Sequence, residues 1–471
     1  MAVSATRASS RSVSHLLLAG LNPLSPPASA SHSAGPVRQN PSNPTLAPVP
    51  FHGWLASVGR EIDTTAPLRL RPASVSAGAG HQLVAYRNYE GVDRVFALGR
   101  NEAGQLGVGF ASQEGTRALV EGFDGDEVLA VRAGVQASYV LVRDRDSTRL
   151  FSMGNLARGR LGHPALFPPA DPSEDHQEPR QYTLPYASVV PLPEGVGPIK
   201  QIEAGFEHLL VLTETGELYG TGCNTDGQLG LGNAAADVYQ LTRVPLPSEV
   251  DMEGGVERIS AGADTSALVT RSGSVWTWGN SEYAQGMHGE KIDQIASPLR
   301  VNTAPFLPSN RRVVDYRCGG SFALALDDHG SVYSAGYGAL GLGAPASATT
   351  TPSTTTPARI ERLEGAGVKR IRAGWGYGAA VRDQGNESAL WTWGLNTAHG
   401  RLGLGLGPGL DARGVVQRPA HEPCEVRLPV RELGLEDAAG AAGEGATWAI
   451  GEVECGMESM WVEVTVDEEL R

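Results

Sequence analysis

A glycine preceded by a small residue recurs along this chain at residues 78, 134, 205, 262, 319, 374 and 443, with intervals of 56, 71, 57, 57, 55 and 69. A second glycine follows at 99, 154, 222, 279, 336 and 394, and the units close on Gly107, Gly162, Gly230, Gly341 and Gly403, each after leucine. Short apolar runs lie between these points, as in Leu209-Leu210-Val211-Leu212. A period of about 50 residues marks an array of supersecondary units, none of which can bury its faces alone. Glycine suits the points where backbones approach closely or φ turns positive. The Val, Leu, Trp, Tyr and Phe between them suit buried antiparallel strands. Seven such units predict an all-β fold, a seven-bladed β-propeller, with Gly78, Gly134, Gly205, Gly262, Gly319, Gly374 and Gly443 as its structural repeat glycines.

Composition agrees. The chain carries 60 glycines and 31 prolines, which favours many turns over long helices. The unit beginning at Gly443 lacks its terminal Trp-Gly and Leu-Gly, and Trp54 to Gly59 resembles what is missing. The two chain ends are therefore expected to share one blade and latch the ring, since an unlatched blade exposes an unpaired strand edge. The propeller is placed at residues 51–471 on this reading. Three stretches break the period and are candidates for partner contacts: His163 to Lys200, Ala344 to Arg359, and Gly405 to Leu428.

Residues 1–50 read differently. No acid occurs before Glu61, serine and alanine dominate the first 34 positions, and Arg7 and Arg11 fall away from Val13, Leu16, Leu17 and Leu21 on a helical wheel. That is the pattern of a mitochondrial transit peptide, followed by a Pro/Ser/Asn-rich linker to residue 50. Cytoplasm or nucleus is the alternative location. No apolar run reaches the ~18 residues that span a bilayer.

Several functions find no support. A formal net charge of −14 gives no broad electrostatic footprint for nucleic acid, so RNA is expected only indirectly or through a local patch. Cys223, Cys318, Cys424 and Cys455 form no close pair and no Cys/His cluster of zinc-ligand spacing, so no metal site is assigned. Gly336-Tyr337-Gly338-Ala339-Leu340-Gly341 matches a dinucleotide fingerprint, but the Thr/Pro/Ala run after it cannot supply the helix N-terminus that holds a pyrophosphate, so no cofactor is assigned. His81 and His208 stand three residues after a first glycine, a slot that elsewhere holds Ala137, Thr265, Phe322, Tyr377 and Ala446, and read as packed core histidines. No residue is assigned a catalytic role. The candidate binding residues stand two places before each first glycine: Ser76, Arg132, Glu203, Ser260, Arg317, Arg372 and Ala441. Equal repeat positions lie at equal radius, so Arg132, Arg317 and Arg372 should gather near the axis with Glu203 alone to offset them. Guanidinium forks there would suit an acidic segment or a phosphate, or would act as ion-paired struts between blades.

The Ala-Gly…Gly…Gln-Leu-Gly pattern resembles the regulator-of-chromosome-condensation repeat family over residues 51–471. Phe151-Ser152-Met153-Gly154-Asn155, Trp278-Gly279-Asn280-Ser281-Glu282-Tyr283 and Gly336-Tyr337-Gly338 look like its mitochondrial, G-exchanging-factor-like branch. The resemblance implies an interaction protein, not an enzyme that makes or breaks covalent bonds. Its implied role is a scaffold or assembly factor for the mitochondrial ribosome or RNA-processing machinery, in the matrix or peripherally on the inner membrane. The implied alternative is guanine-nucleotide exchange on an organellar GTPase, although the wedge that such exchange uses has no residue-by-residue match here.

Overall fold

The computed structural model describes residues 12–21, 42–56, 69–88, 90–123, 125–145, 147–164, 183–234, 236–344, 350–383, 388–397, 400–404, 419–429, 433 and 448–467. They form seven four-stranded antiparallel sheets arranged as the blades of a closed propeller. Each blade runs from an inner strand A to an outer strand D. In blade three these are Ile199–Ala204, His208–Thr213, Leu218–Gly222 and Val238–Arg243. Strands B and C are buried on both faces, as in the unbroken run His208–Thr213, so they read as apolar stretches without alternation. Apolar clusters fill every seam between neighbouring blades, for example Leu210, Leu212, Val256, Ile259 and Trp278 between blades three and four.

Strand A of each blade ends at a first glycine, and strand C returns to the same side at the second. The A–B turns and C–D loops therefore share one end of the ring, here termed the glycine face. The B–C hairpins and D–A linkers share the other, the hairpin face. Glycine is needed at the end of strand A because the blades touch there. A Cβ on Gly205 would lie 2.6 Å from the carbonyl oxygen of Gly262, and one on Gly374 would lie 2.9 Å from that of Cys455.

The chain ends do share a blade, but the contributing segments differ from those expected. Blade seven is built in the order Trp448–Cys455, Ser459–Asp467, Ser12–Leu21, Ser42–Pro48, from inside to outside. Trp54 lies in a short helix, Phe51–Ala56, that caps the blade-seven/blade-one seam, with its ring edge-on to Trp461 at 6.5 Å. The boundary expected at residue 50 accordingly moves back to Ser12. The helical periodicity of 13–21 does not describe the fold: Leu16, Leu17, Leu18 and Ala19 are buried in a strand whose residues 12–20 pair with Ser459–Asp467. Every second residue of this run faces one seam and the intervening ones the other, so an apolar stretch serves a doubly buried strand as well as a helix.

The seventh repeat is also displaced. Gly443 lies outside the described residues, and Gly456 occupies the first-glycine position, following strand A and donating its N–H to the Ser459 carbonyl at 2.9 Å. The register shift replaces Ala441 with Glu454 and Ala446 with Ser459.

Candidate functional site

The central channel is different at its two ends. At the glycine face it is lined by alanine, glycine and cysteine around about 110 Å³, and Phe206 of blade three stacks on Trp375 of blade six across it, 4.6 Å between ring centroids and 27° between planes. Each follows a first glycine directly. Trp375 lies against Gly320, the second glycine of the Gly319-Gly320 pair, where a Cβ would meet its ring at 3.1 Å. The next turn carries Tyr337, whose N–H donates to the Ser321 carbonyl at 2.8 Å and whose ring meets Tyr283 at 5.3 Å. Leu395 covers Gly376 beside Trp375.

The hairpin end opens into a polar cavity of about 280 Å³. Arg132, Arg317 and Arg372 do meet there, as equal radius requires. They are not left with Glu203 alone. Four arginines (132, 258, 317 and 372) and three glutamates (203, 452 and 454) line the cavity, and Asp315 pairs with Arg317, so four positive charges stand against four negative. Arg132 reaches across a seam to Glu203 in a two-pronged contact of 3.0 and 3.2 Å. Arg317 binds Asp315 at 3.1 Å, and Arg372 binds Glu452 at 2.8 Å. Burial raises the Glu203 and Glu452 carboxyls, but Arg132 with Arg317, and Arg372 with Arg370, override it and hold both below the ordinary carboxylate range. Glu454, with burial dominant, sits above its usual value. Part of the expected surplus of positive charge came from placing Ala441 where Glu454 stands, and the rest from Glu452 and Asp315, which stand four places before the first glycine and not two. The shared string Cys-Gly after a charged residue, in Arg317-Cys318-Gly319 and Glu454-Cys455-Gly456, is the signal that places the register correctly.

His81 and His208 are core residues. Each is buried, and Nε2 meets a serine hydroxyl of the next blade, Ser138 at 2.8 Å and Ser266 at 3.0 Å. Burial pushes both imidazoles down to about 4, so they are neutral at physiological pH. The Gly336–Gly341 fingerprint is a blade loop, closed by Leu340 N–H on the Gly338 carbonyl and seated against Trp393. Among the described residues no group of acids, histidines and cysteines is placed to hold a metal.

The glycine face holds what sequence reasoning missed. Of nine exposed large apolar residues among those described, Phe110, Tyr186, Tyr337, Leu342, Trp375 and Leu395 lie on its loops or the strand ends beside them. Phe110 and Tyr186 also flank an apolar groove of about 310 Å³ between blades one and two. The three period-breaking stretches contain the C–D connections of blades two, five and six, which start and end on this face; residues 165–182, 345–349 and 405–418 of them lie outside the described residues. Two aromatics in the slot after a first glycine, where other repeats have Ala79, Val135, Ala263, Gly320 and Met457, were the visible sign.

Residues 56–442 match the sequence model of the RCC1-like domain, a span that covers the continuous blades and stops short of the strands of the split one. The Ultraviolet-B receptor UVR8 of Arabidopsis thaliana is 28% identical over 351 residues, 73% of this chain and 69% of that protein. The human RCC1-like G exchanging factor-like protein is 29% identical over 351 residues, 71% of this chain and 69% of its own. Human WBSCR16 superposes with a TM-score of 0.67 at 22% identity, over 96% of this chain and 98% of that one. Yeast RCC1 (Prp20), solved bound to Kap60, gives 0.65 at 17% identity over 97% and 89%. Both structural likenesses are of fold.

Proposed function

The chain belongs to the RCC1-like domain family, and from that premise we propose that it works as a protein-binding propeller whose glycine face receives the partner. The observation that carries this reading is the gathering of six exposed aromatic and aliphatic side chains on that face, against three scattered toward the hairpin side, Val189, Leu299 and Met252, none of them aromatic. Contiguous exposed apolar surface marks interaction sites, and Trp and Tyr are the residues that most often anchor them. The hairpin cavity is poorer in such anchors and has its charges matched internally. We place the site of action in mitochondria, as a scaffold in ribosome or RNA-processing assembly, on the acid-free N-terminal stretch with Arg7 and Arg11. An import signal compatible with the ring would leave Ser12–Leu21 in the chain, since the apolar residues of that signal, Val13, Leu16, Leu17 and Leu21, belong to a blade strand.

A second reading, guanine-nucleotide exchange on a GTPase, draws support from the name of the human and mouse relatives, RCC1-like G exchanging factor-like protein. The test is cross-linking mass spectrometry on full-length protein captured with its partners from isolated mitochondria. Cross-links on the A–B turns and C–D loops support the reading; cross-links confined to the B–C hairpins overturn it. Release of a fluorescent GDP analogue from a co-captured GTPase, accelerated by the chain, would favour exchange over scaffolding.

A further inference from the structure

The glycine face is chemically lopsided next to its aromatic centre. The residues two places after the first glycines are Gly80, Gln136, Glu207, Asp264, Ser321, Gly376 and Glu458: three acids and no base. Asp264 and Phe206 are neighbours, because the Phe206 N–H donates to the carbonyl of Ala263 at 3.3 Å. Three arginines approach this sector and all are engaged. Arg401, beside Gly376, donates to the carbonyls of Leu395 at 2.9 Å and of Met457 and lies over the Tyr377 ring. Arg158 pairs with Glu207 at 2.8 Å and with Asp237 at 3.2 Å, and Arg160 takes the other oxygen of Glu207 at 2.7 Å. Asp226 is held by Asn280 Nδ2 at 3.5 Å. No ion pair reaches the Asp264 carboxylate among the described residues, although its surroundings are poorly solvated. Burial, then the charges of Asp226 and Glu207, outweigh Arg158 and lift its carboxyl to about 6.

Resting on the protein-binding reading above, we infer that the sector between blades three and six docks a basic segment of a partner protein, an Arg or Lys side chain on Asp264 and its apolar neighbour on the Phe206–Trp375 pair. The chemistry is complementary at two ranges. A net charge of −14 steers a cationic segment from a distance, and the desolvated carboxylate rewards it at contact. The aromatic faces of Trp375, Tyr337 and Tyr283 add cation–π attraction for a second basic side chain and an apolar floor for the residues between. A partner acid would meet Asp264, Asp226, Glu207 and Glu282 together, and a purely apolar segment would leave Asp264 desolvated without a cation.

The test is panning of a random phage-displayed peptide library against full-length protein at pH 7.5, followed by fluorescence anisotropy on the enriched peptides. Peptides with Arg or Lys beside an aliphatic or aromatic residue should emerge. Asp264→Asn, which keeps the side-chain shape, should weaken their binding about tenfold, and Trp375→Ala about 30-fold, the scale of a charge contact and an aromatic hot spot. Each variant is checked by its melting curve, and Tyr337→Ala serves if Trp375→Ala unfolds. Acidic or uncharged peptides that depend on Trp375 but ignore Asp264→Asn would overturn the basic partner and leave the docking face standing. No enriched peptide, or peptides indifferent to Trp375 and Asp264 alike, would overturn both.

Discussion

Blades one to six are each cut from one stretch of chain; blade seven is assembled from two strands at each end of it. The continuous blades close locally, through hairpins such as Thr213 to Leu218, and differ mainly in their C–D loops. The split blade depends on contacts between residues more than 440 apart, such as the Ser14 hydroxyl donating to Glu463 at 2.7 Å. The contrast assigns different duties. The continuous blades carry loop variation and the partner face. The split blade holds the ring shut and supplies Glu452 and Glu454 to the channel arginines of its neighbours.

The largest expected effect comes from removing the N-terminal half of the split blade. A chain beginning at residue 49 loses two strands and the buried Leu16, Leu17 and Leu18. At about 1.5–3 kcal/mol per buried leucine, that is comparable with the whole stability of a typical domain. We expect loss of cooperative melting, and recovery when a peptide of residues 12–48 is added. A chain lacking only residues 1–11 should melt like the intact one. If the chain beginning at residue 49 melts normally, blade seven does not latch the ring.

That outcome bears on what the sequence could disclose. The continuous blades were legible because close backbone approach at the end of strand A and positive φ at the loop ends both demand glycine, and glycine is unmistakable in a sequence. The same rule misled at the last repeat, where a Gly/Ala-rich stretch around Gly443 offered a glycine at a plausible interval while Gly456 lay 82 residues beyond Gly374. The first strand was obscured for a different reason. A strand buried on both sides has no alternation, so Leu16-Leu17-Leu18 fits helix and sheet equally. The channel arginines were placed correctly by equal radius, yet their partners Glu452 and Asp315 stand four places before the first glycine, outside the slot that was compared. The partner face escaped because Phe206, Trp375 and Asp264 belong to different turns, and only ring closure brings them together.

The channel sharpens the comparison next. Changing Arg372 to Gln leaves Glu452 and Glu454 of the split blade with less compensation in a buried setting. Breaking such a pair costs about 3–5 kcal/mol, and we expect the lower end because the arginine side chain is 16% exposed. Adding Glu452→Gln should recover part of the loss, read as a coupling energy in a double-mutant cycle. Arg317→Gln with Arg372→Gln should likewise lower stability and leave partner capture by the folded protein unchanged. Normal melting with lost capture would return the arginines to a binding role.

Acid should separate the seams. His81 and His208 sit at the seams between blades one and two and between three and four, whereas Ser459 fills their slot at the seam that closes the ring. Their folded values, about 4, lie below the ordinary 6.5, so the unfolded chain binds protons more tightly. Their contribution is present above pH 6.5 and is lost as pH falls toward 4, at most about 3 kcal/mol for each histidine. Hydrogen exchange at pH 5 should rise first in strands B of blades one and three and last in Ser459–Asp467. His208→Phe, which copies Phe322 in blade five, should flatten the pH dependence; an unchanged slope would show that the histidines do not set acid stability.

The smallest effect contrasts a carboxylate of the split blade with one on the partner face. Glu452 is held down by Arg372; Asp264, beside Asp226 and Glu207, is raised to about 6 against an ordinary 3.8. A raised folded value means that the folded protein binds the proton more tightly than the unfolded chain. The stability linked to Asp264 is therefore full below pH 3.8 and lost as pH rises through 6. A shift of that size corresponds to about 3 kcal/mol, and solvent screening of a partly exposed group reduces it to about 1–2. Asp264→Asn, neutral at every pH, should melt higher than the parent at pH 7.5, while the two converge near pH 4. The same substitution is expected to weaken the basic peptides, so stability and binding should move in opposite directions, as they do where a binding surface is kept strained for its ligand. Glu452→Gln, by contrast, should lower stability and leave peptide binding alone. If Asp264→Asn destabilises the protein at pH 7.5, its carboxylate has a cationic partner in the fold, and the surface between blades three and six has no unmet charge to offer.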